Sequence, residues 1–389
     1  MPRQYNDPAG GDESQVGTQI RTDVYEKRAL IEMRREQHFG QLANVRSMPK
    51  HMGKTMKMYQ YLPLLDDENN NDQGLDAGGS ELVDGNLYGS SKDVGSIPGK
   101  MPVLSESGGR VNRVGFKRKE IEGSISKFGF FDEYTQESMD FDSDADLLMH
   151  INREMLNGAG EITEDLLQID LLMSAGVVKY AGAASSDDTV DATSIVTYDD
   201  LLRLSIDLDQ NRTPKQTKVI TGTRLVDTKT IPGGRVMYVG SEMQPTIEGM
   251  TDLHGNQAFI PVQKYGSGGT ILNGEIGTVG YFRIVVVPEM MKFAGAGANA
   301  SDTSTHYETG EAYDVFPMLV VGDASFSTIG FQTDGKTVKF KIKHSKPGSE
   351  ASYAMDPYGE TGFMSIKWFY GFLLERAERI AMIKTAAVL

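Results

Sequence analysis

The sequence predicts an α+β fold organised around one long helix, and three observations predict it. Apolar residues recur at intervals of three and four from Leu148 to Met173, the period of one helix face. Ahead of that run, two strand-like stretches flank a very long polar insert. Behind it, short helical and strand patterns alternate as far as the C-terminus. The chain has 389 residues, enough for two or three core-bearing units at roughly 150 residues each. Hydrophobic residues make up 39%, which supports a buried core and argues against wholesale disorder.

The opening "MPRQYNDPAGGDESQVGTQ" is rich in Gly, Pro and polar residues without periodicity, and reads as a flexible arm. Residues 22–45 then read as helical, with Val24, Leu30, Ile31, Phe39 and Leu42 set among charges and Thr22 or Asp23 as N-cap. "MGKTMKMYQYLPLL" nearly alternates apolar and polar residues, the mark of a half-buried or exposed strand. A second strand-like run, "VNRVGFKRKEIEGSISKFGFF", pairs with it as a long hairpin. The insert between them, residues 66–109, is crowded with Asp, Asn, Gly and Ser. A loop of that length has no place inside a compact domain, so the hairpin should project.

The long helix follows, with Asp142, Ser143 and Asp144 as caps and favourable negative charge at its start. Its phase survives "NGAG" at 157–160. Each glycine costs roughly 1 kcal/mol relative to alanine inside a helix, so Gly158 and Gly160 call for a close packing partner. Beyond it, "TYDDLLRLSIDLDQNRTP" reads as a helix stopped by Pro214, and "TKVIT", "RVMYVG" and "YFRIVVVP" as buried strands. "ILNGEI" reads as a hairpin with an Asn-Gly turn and "GFQTDGKTVKFKI" as one with an Asp-Gly turn. "GFMSIKWFYGFLL" and "ERIAMIKTAAVL" are expected to return to the core shared with the long helix. No repeat of solenoid length is visible.

Composition narrows the function. Cysteine is absent, which excludes a disulfide scaffold, a zinc–cysteine site and a thiol nucleophile, and fits a reducing compartment. The net charge of −15 disfavours dedicated nucleic-acid binding and favours solubility at high concentration. No secretory signal and no apolar run of about 18 residues is present, so a soluble intracellular product is expected.

The chemical motifs are fragments. Gly53-Lys54-Thr55 ends like a phosphate-binding loop, but Met48 stands where the first glycine belongs and Pro49 removes an amide. The stretch reads as a strand. "GAGANA" at 295–300 mimics a dinucleotide fingerprint without the helix that should follow, and reads as a flexible surface loop. "DSDAD" at 142–146 lacks the glycine and the twelfth-position glutamate of a calcium loop. The histidines are scattered without metal-ligand spacing, and no G-x-S-x-G occurs. Neither a catalytic site nor a cofactor or metal site is expected. The basic cluster Arg110, Arg113, Lys117, Arg118 and Lys119 reads either as a contact for nucleic acid or an acidic neighbouring subunit, or as a solvated strand face.

Three long strings, "VYEKRAL", "MPKHMGKTMKMYQYLPLLDDENNNDQG" and "DPYGETGFMSIKWFYG", resemble stretches of the major capsid proteins of N-four-like tailed bacteriophages. The resemblance covers the N-terminal third and the C-terminus and is thinner between them. It implies an HK-ninety-seven-type capsid fold: an N-terminal arm at 1–47, an extended loop at 48–125, a peripheral domain with a spine helix at 126–195, an axial domain at 196–285, and a return through both at 286–389. It implies a structural subunit of an icosahedral head shell enclosing double-stranded DNA without sequence recognition, located in the virion. Its partners would be copies of itself in hexameric and pentameric rings, with scaffold, portal and decoration proteins as further candidates. Tyr59, Tyr61, Arg113, Lys117, Arg118 and Lys119 are the candidate assembly residues. The alternatives are another virion component, such as a tail or decoration protein, or a self-associating nucleotide-binding enzyme.

Overall fold

The computed structural model describes residues 38–61, 72–73, 113–114, 118–137, 147–215, 217–220, 228–231, 234–265, 272–300, 305–331, 340–348 and 358–389. The apolar periodicity materialises as one helix, α1 (Leu147–Met173), which runs unbroken through Asn157–Gly160. A Cβ added at Gly158 would sit 3.8 Å from the Phe130 ring, an ordinary van der Waals distance, so the neighbour there does not demand a glycine and the close approach expected of it is not seen. Gly160 is buried.

The chain divides into two compact units. The larger takes residues 37–131, 158–343 and 365–389. One of its sheets has seven strands in the order β10 (Phe259–Pro261), β11 (Glu275–Val279), β12 (Phe282–Val287), β9 (Arg235–Gly240), β15 (Phe316–Val321), β19 (Ile380–Thr385) and β6 (Val177–Tyr180). Every residue of β9, β15 and β19 is buried, as expected for central strands covered on both faces. Helix α2 (Tyr198–Gln210) lies on this sheet and contributes Leu201, Leu204 and Leu208 to its core. Thr197 caps it, accepting from the Asp200 amide while Asp200 accepts from the Thr197 amide. The short helix α3 (Gln244–Glu248) adds Ile247.

Two ion pairs brace this unit, the first buried and the second reaching an exposed carboxylate. Arg283 and Glu275 face each other across β11 and β12 in a bidentate pair at 2.7 and 2.8 Å, and the Tyr265 hydroxyl and the Leu272 amide donate to the same carboxylate. Arg235, fully buried, donates to Asp209 at 2.5 Å and to the Thr213 carbonyl at 2.7 Å. That contact ties the end of α2 to the central strand.

The second sheet runs β1 (Asn44–Met48), β16 (Phe326–Phe331), β18 (Thr361–Leu374), β5 (Arg118–Thr135), β2 (Thr55–Tyr61), with β17 (Lys341–Ser345) also on β18. Alternation sends Trp368 and Tyr370 to one face and Lys367 and Phe369 to the other. Trp368 is buried among Phe128, Phe130 and Phe340. The Tyr370 hydroxyl donates to Asp170 on α1 at 2.9 Å, so the C-terminal strand does return to the helix. Two-stranded pairs β3 (Asp72–Gln73) with β4 (Arg113–Val114), β7 (Thr217–Ile220) with β8 (Thr228–Ile231), and β13 (Glu308–Thr309) with β14 (Ala312–Tyr313) complete the elements.

Of the described residues, the smaller unit takes 132–137, 147–157, 344–348 and 358–364. Its buried Tyr134 hydrogen-bonds and packs against His344. Gly362 makes room for that ring, since a Cβ there would come within 2.7 Å of Tyr134 Cζ.

Four further expectations need correction. The described tail of the 22–45 helix, residues 38–45, is a 3-10 turn (Phe39–Leu42) followed by β1, because Glu164 captures the His38 and Phe39 amides at 2.7 and 2.6 Å and turns the chain. Asn273-Gly274 is not a hairpin turn but a turn leading into β11. The hairpin turn is Gly280-Tyr281 between β11 and β12, where Gly280 supplies a positive φ of 58°. Strands β16 and β17 each pair with β18 instead of with one another. "GAGANA" is strapped down and not a loose loop: Gly295 N–H reaches Asp314, Gly297 reaches the Tyr313 carbonyl and Ala298 the Val190 carbonyl. The arm to residue 37, the 66–109 insert beyond β3, the α1 caps at 142–144 and the Asp334-Gly335 turn lie outside the described residues.

Candidate functional site

The expected hairpin is present. β2 and β5 pair antiparallel from Thr55↔Ser124 to Tyr61↔Arg118. Its root is held from both ends. At the turn, His51 and Gly53 take positive φ of 67° and 79°, and the Ile125 amide donates to the Lys54 carbonyl at 3.0 Å. Gly53-Lys54-Thr55 therefore turns into a strand, and no helix N-terminus awaits a phosphate there.

Met56, Met58 and Ile121, on one face of the root, pack against a cluster of Met48, Ile125, Ile329 and Leu373. Two glycines permit this closeness. A Cβ at Gly123 would meet the Phe372 carbonyl at 2.9 Å, and one at Gly371 would meet the Ser124 carbonyl at 2.5 Å. The other face of the ribbon is uncovered along its whole length: Tyr59 is 49% and Tyr61 67% exposed, and their cross-strand neighbours Arg118 and Glu120 are exposed as well. The hairpin thus leaves its core with large aromatic side chains uncovered.

The same face carries a ladder of charge. Lys57 Nζ lies 2.6 Å from Glu120 and 3.5 Å from Glu122, and the Glu120 carboxylate, with Glu122 beside it, holds the ammonium above the usual lysine range. Further out, the Arg118 guanidinium sits 4.0 Å over the Tyr59 ring, a cation–π contact worth roughly 0.5–1 kcal/mol at an exposed site. Of the candidate residues, the structure therefore brings Tyr59, Tyr61 and Arg118 onto one face. Lys119 stands opposite Gln60 and points to the other face. Arg113 lies in β4, where its backbone faces Gln73 of β3, and Lys117 lies outside the described residues. The Lys57–Glu120–Glu122 ladder was missed, although its signal is readable: alternating charges sit in both runs, and only their register was needed.

Among the described residues no group of His, Asp and Glu is placed to hold a metal ion. No helix there is long and apolar enough to cross a membrane.

Comparison with known proteins bears on this geometry. The phage capsid protein family matches residues 118–345. A major capsid protein of Pseudomonas phage KPP21 is 60% identical over 387 residues, covering 99% of this chain and 98% of that protein. The capsid of Ralstonia phage GP4 superposes with a TM-score of 0.58 at 11% identity, covering 97% of this chain and 98% of that one. The capsid of cyanophage Pam1 does so with a TM-score of 0.56 at 12% identity, covering 98% and 99%. At such low identity the two structures speak for the fold alone.

Proposed function

The chain belongs to the phage capsid protein family and is a structural subunit of a virion head shell, and on that premise we propose that the β2–β5 hairpin is the arm by which one copy grips the next. The observation that carries this reading is the exposure of Tyr59 and Tyr61 on one face of a ribbon whose other face is rooted in the core. Aromatic side chains beside an arginine are the residue types that dominate interface energies. Covering two tyrosines and the Arg118–Tyr59 stack on a neighbour supplies a compact anchor, while Lys57, Glu120 and Glu122 supply a polar rim.

Contacts of this kind join unlike patches on successive copies. Such heterologous contacts close into rings when the rotation allows, and hexameric and pentameric rings together close an icosahedral shell. Many modest contacts then act jointly, because each neighbour holds the others in place. In this reading residues 1–47 are an arm, 48–125 the extended loop, 126–195 the peripheral domain and 196–285 the axial domain. Scaffold, portal and decoration proteins would meet the finished lattice, and double-stranded DNA would be enclosed without being read.

The test is a Tyr59→Ala/Tyr61→Ala double variant with its assembly followed by sedimentation and electron microscopy. Both side chains are exposed, so the subunit keeps its unfolding midpoint within about 0.5 kcal/mol, while shell yield falls at least tenfold. Shells at wild-type yield would overturn the assignment.

A further inference from the structure

We propose that the outer face of β5, β18 and β17 is a docking surface for the acidic 66–109 insert of a neighbouring copy. The inference rests on the reading that the hairpin reaches a neighbour, and it names what the far end of that hairpin meets.

On a chain of net charge −15, one patch runs against the trend. Lys127 on β5, Lys367 on β18, and Lys341 and Lys343 on β17 are all exposed. Alternation places them on one face of the sheet, the face opposite Trp368. Phe128, Phe130 and Phe340 pack on the Trp368 side, so their neighbours Lys127 and Lys341 point away from it. Lys341 lies 5.7 Å over Phe331, which in turn packs on Phe369 at 5.2 Å, two residues from Lys367 on the same face. Among the described residues no carboxylate is paired with Lys127, Lys341 or Lys367.

Beside Lys127 and Lys367 the surface is concave. An open depression of about 400 Å³ is lined by residues 127–131 of β5 with Ile366 and Lys367 of β18, and so takes in Phe128 and Phe130 from the Trp368 side as well. Phe131, one of the residues that line it, is 64% exposed. The surface thus offers cations beside an aromatic slot.

The insert has the complementary chemistry. It reads "DDENNNDQGLDAGGSELVDGNLYGSSKD", in which acids far outnumber lysines and flank single or paired apolar residues at Leu75, Leu82-Val83 and Leu87-Tyr88. Carboxylates meet the lysines, and an aliphatic or tyrosine side chain fills the slot beside Phe131. The phosphate backbone of double-stranded DNA would use the lysines and leave the slot and Phe131 unfilled. That difference favours the peptide. Self-recognition also answers the charge problem of assembly, since two copies that repel at long range attract where insert and lysine face meet.

The experiment is a charge swap in the full chain. Lys127→Glu/Lys341→Glu/Lys367→Glu is compared with Asp66→Lys/Asp67→Lys/Glu68→Lys and with the two sets combined, with assembly read by sedimentation. Each set alone is expected to lower shell yield at least tenfold, and the combination to restore it to within about twofold of wild type. Wild-type assembly by the lysine variant, or no rescue by the combination, overturns the docking proposal. So does a lysine variant that assembles normally but loses retention of added double-stranded DNA, which would assign the face to nucleic acid. A synthetic peptide of residues 66–93 tests the contact without assembly as the readout. It binds the wild-type subunit and loses at least tenfold affinity for the lysine variant, whereas equal binding overturns the proposal. Failure of the swap together with misassembly on deletion of 66–109 rejects this docking face and spares the hairpin reading. Normal shells from that deletion reject both.

Discussion

Gly371→Ala tests whether the hairpin works because its root is rigid. The added Cβ would lie 2.5 Å from the Ser124 carbonyl oxygen and 2.9 Å from Ile125 Cγ2. A C–H carbon ordinarily approaches a carbonyl oxygen to about 3.3–3.6 Å, so β5 and β18 must part by roughly 1 Å. Neither partner is a flexible side-chain end: the first is backbone, and the second belongs to a buried β-branched residue of the root cluster. Overpacking of this kind costs about 1–3 kcal/mol, and a weakened ladder hydrogen bond adds about 0.5–1.5 kcal/mol. The expected loss is therefore about 2–4 kcal/mol, concentrated at the strand that carries the hairpin. Hydrogen exchange of peptides from residues 118–131 reads that loosening directly, and urea unfolding of the unassembled subunit reads its total. Gly255→Ala is the control: its φ is +79° with nothing within 4 Å of a built Cβ, so it costs about 1–2 kcal/mol of left-handed strain and leaves β5 protected. If Gly371→Ala leaves exchange at 118–131 unchanged and shifts unfolding no more than the control, the close approach of β5 and β18 does not hold the hairpin.

Other consequences are open to the same assays. Glu275→Ala removes the acceptor for Arg283, Tyr265 and the Leu272 amide in one change; breaking such a buried pair costs about 3–5 kcal/mol. Glu275→Leu/Arg283→Met should recover most of that loss in urea unfolding, and strictly additive single effects would count against a coupled pair. Burial holds the Asp170 carboxyl above its usual range, against the lowering effect of the Tyr370 hydroxyl. The folded state therefore keeps this proton more tightly than the unfolded state does, so the site's stabilisation is complete below the unfolded value and is lost as pH rises through the folded one. Asp170→Asn should remove that segment of the pH–stability curve and stabilise the subunit at neutral pH; an unchanged curve would refute the assignment. Thr197→Ala removes the α2 cap and should cost about 1 kcal/mol, seen as earlier exchange of residues 198–204, with no change there counting against the cap.

What could be read in the sequence depended on how local its cause was. α1 was legible because its apolar spacing repeats for 27 residues, and the hairpin because both strands alternate over most of their length. The reading failed where a distant side chain set the local structure. The 38–45 segment keeps helical spacing, but a carboxylate 126 residues away takes its amides. Asn273-Gly274 has the composition of a hairpin turn, yet the register of β11 on β12 places the reversal at Gly280. The candidate interface was half legible for the same reason. Composition marks Arg118 and Lys119 alike, but only pairing puts Arg118 over Tyr59 and sends Lys119 to the other face.

The distribution of charge ties the two proposed contacts together. A subunit of net charge −15 stays dispersed while free, and a shell nonetheless packs many such subunits side by side. Uniform acidity would make each added copy harder to place, and uniform neutrality would remove the barrier to unordered association. The structure holds a third arrangement. Several cations, at Lys179, Arg235, Arg283, Lys292 and Lys384, are taken up by carboxylates within the subunit. Lys127, Lys341 and Lys367 on the sheet face are left without a carboxylate among the described residues, and Arg118 on the hairpin rests on Tyr59. On these two surfaces the cations have aromatic side chains beside them, so that close fit and charge must agree there. Both contacts should weaken as salt screens the lysines over a Debye length of about 8–10 Å, while the tyrosine anchor, being largely apolar, persists. Shells of the Tyr59→Ala/Tyr61→Ala variant should therefore dissociate at lower salt than wild-type shells, because charge alone is left to hold them. Equal salt tolerance would mean that the tyrosines are not part of the grip.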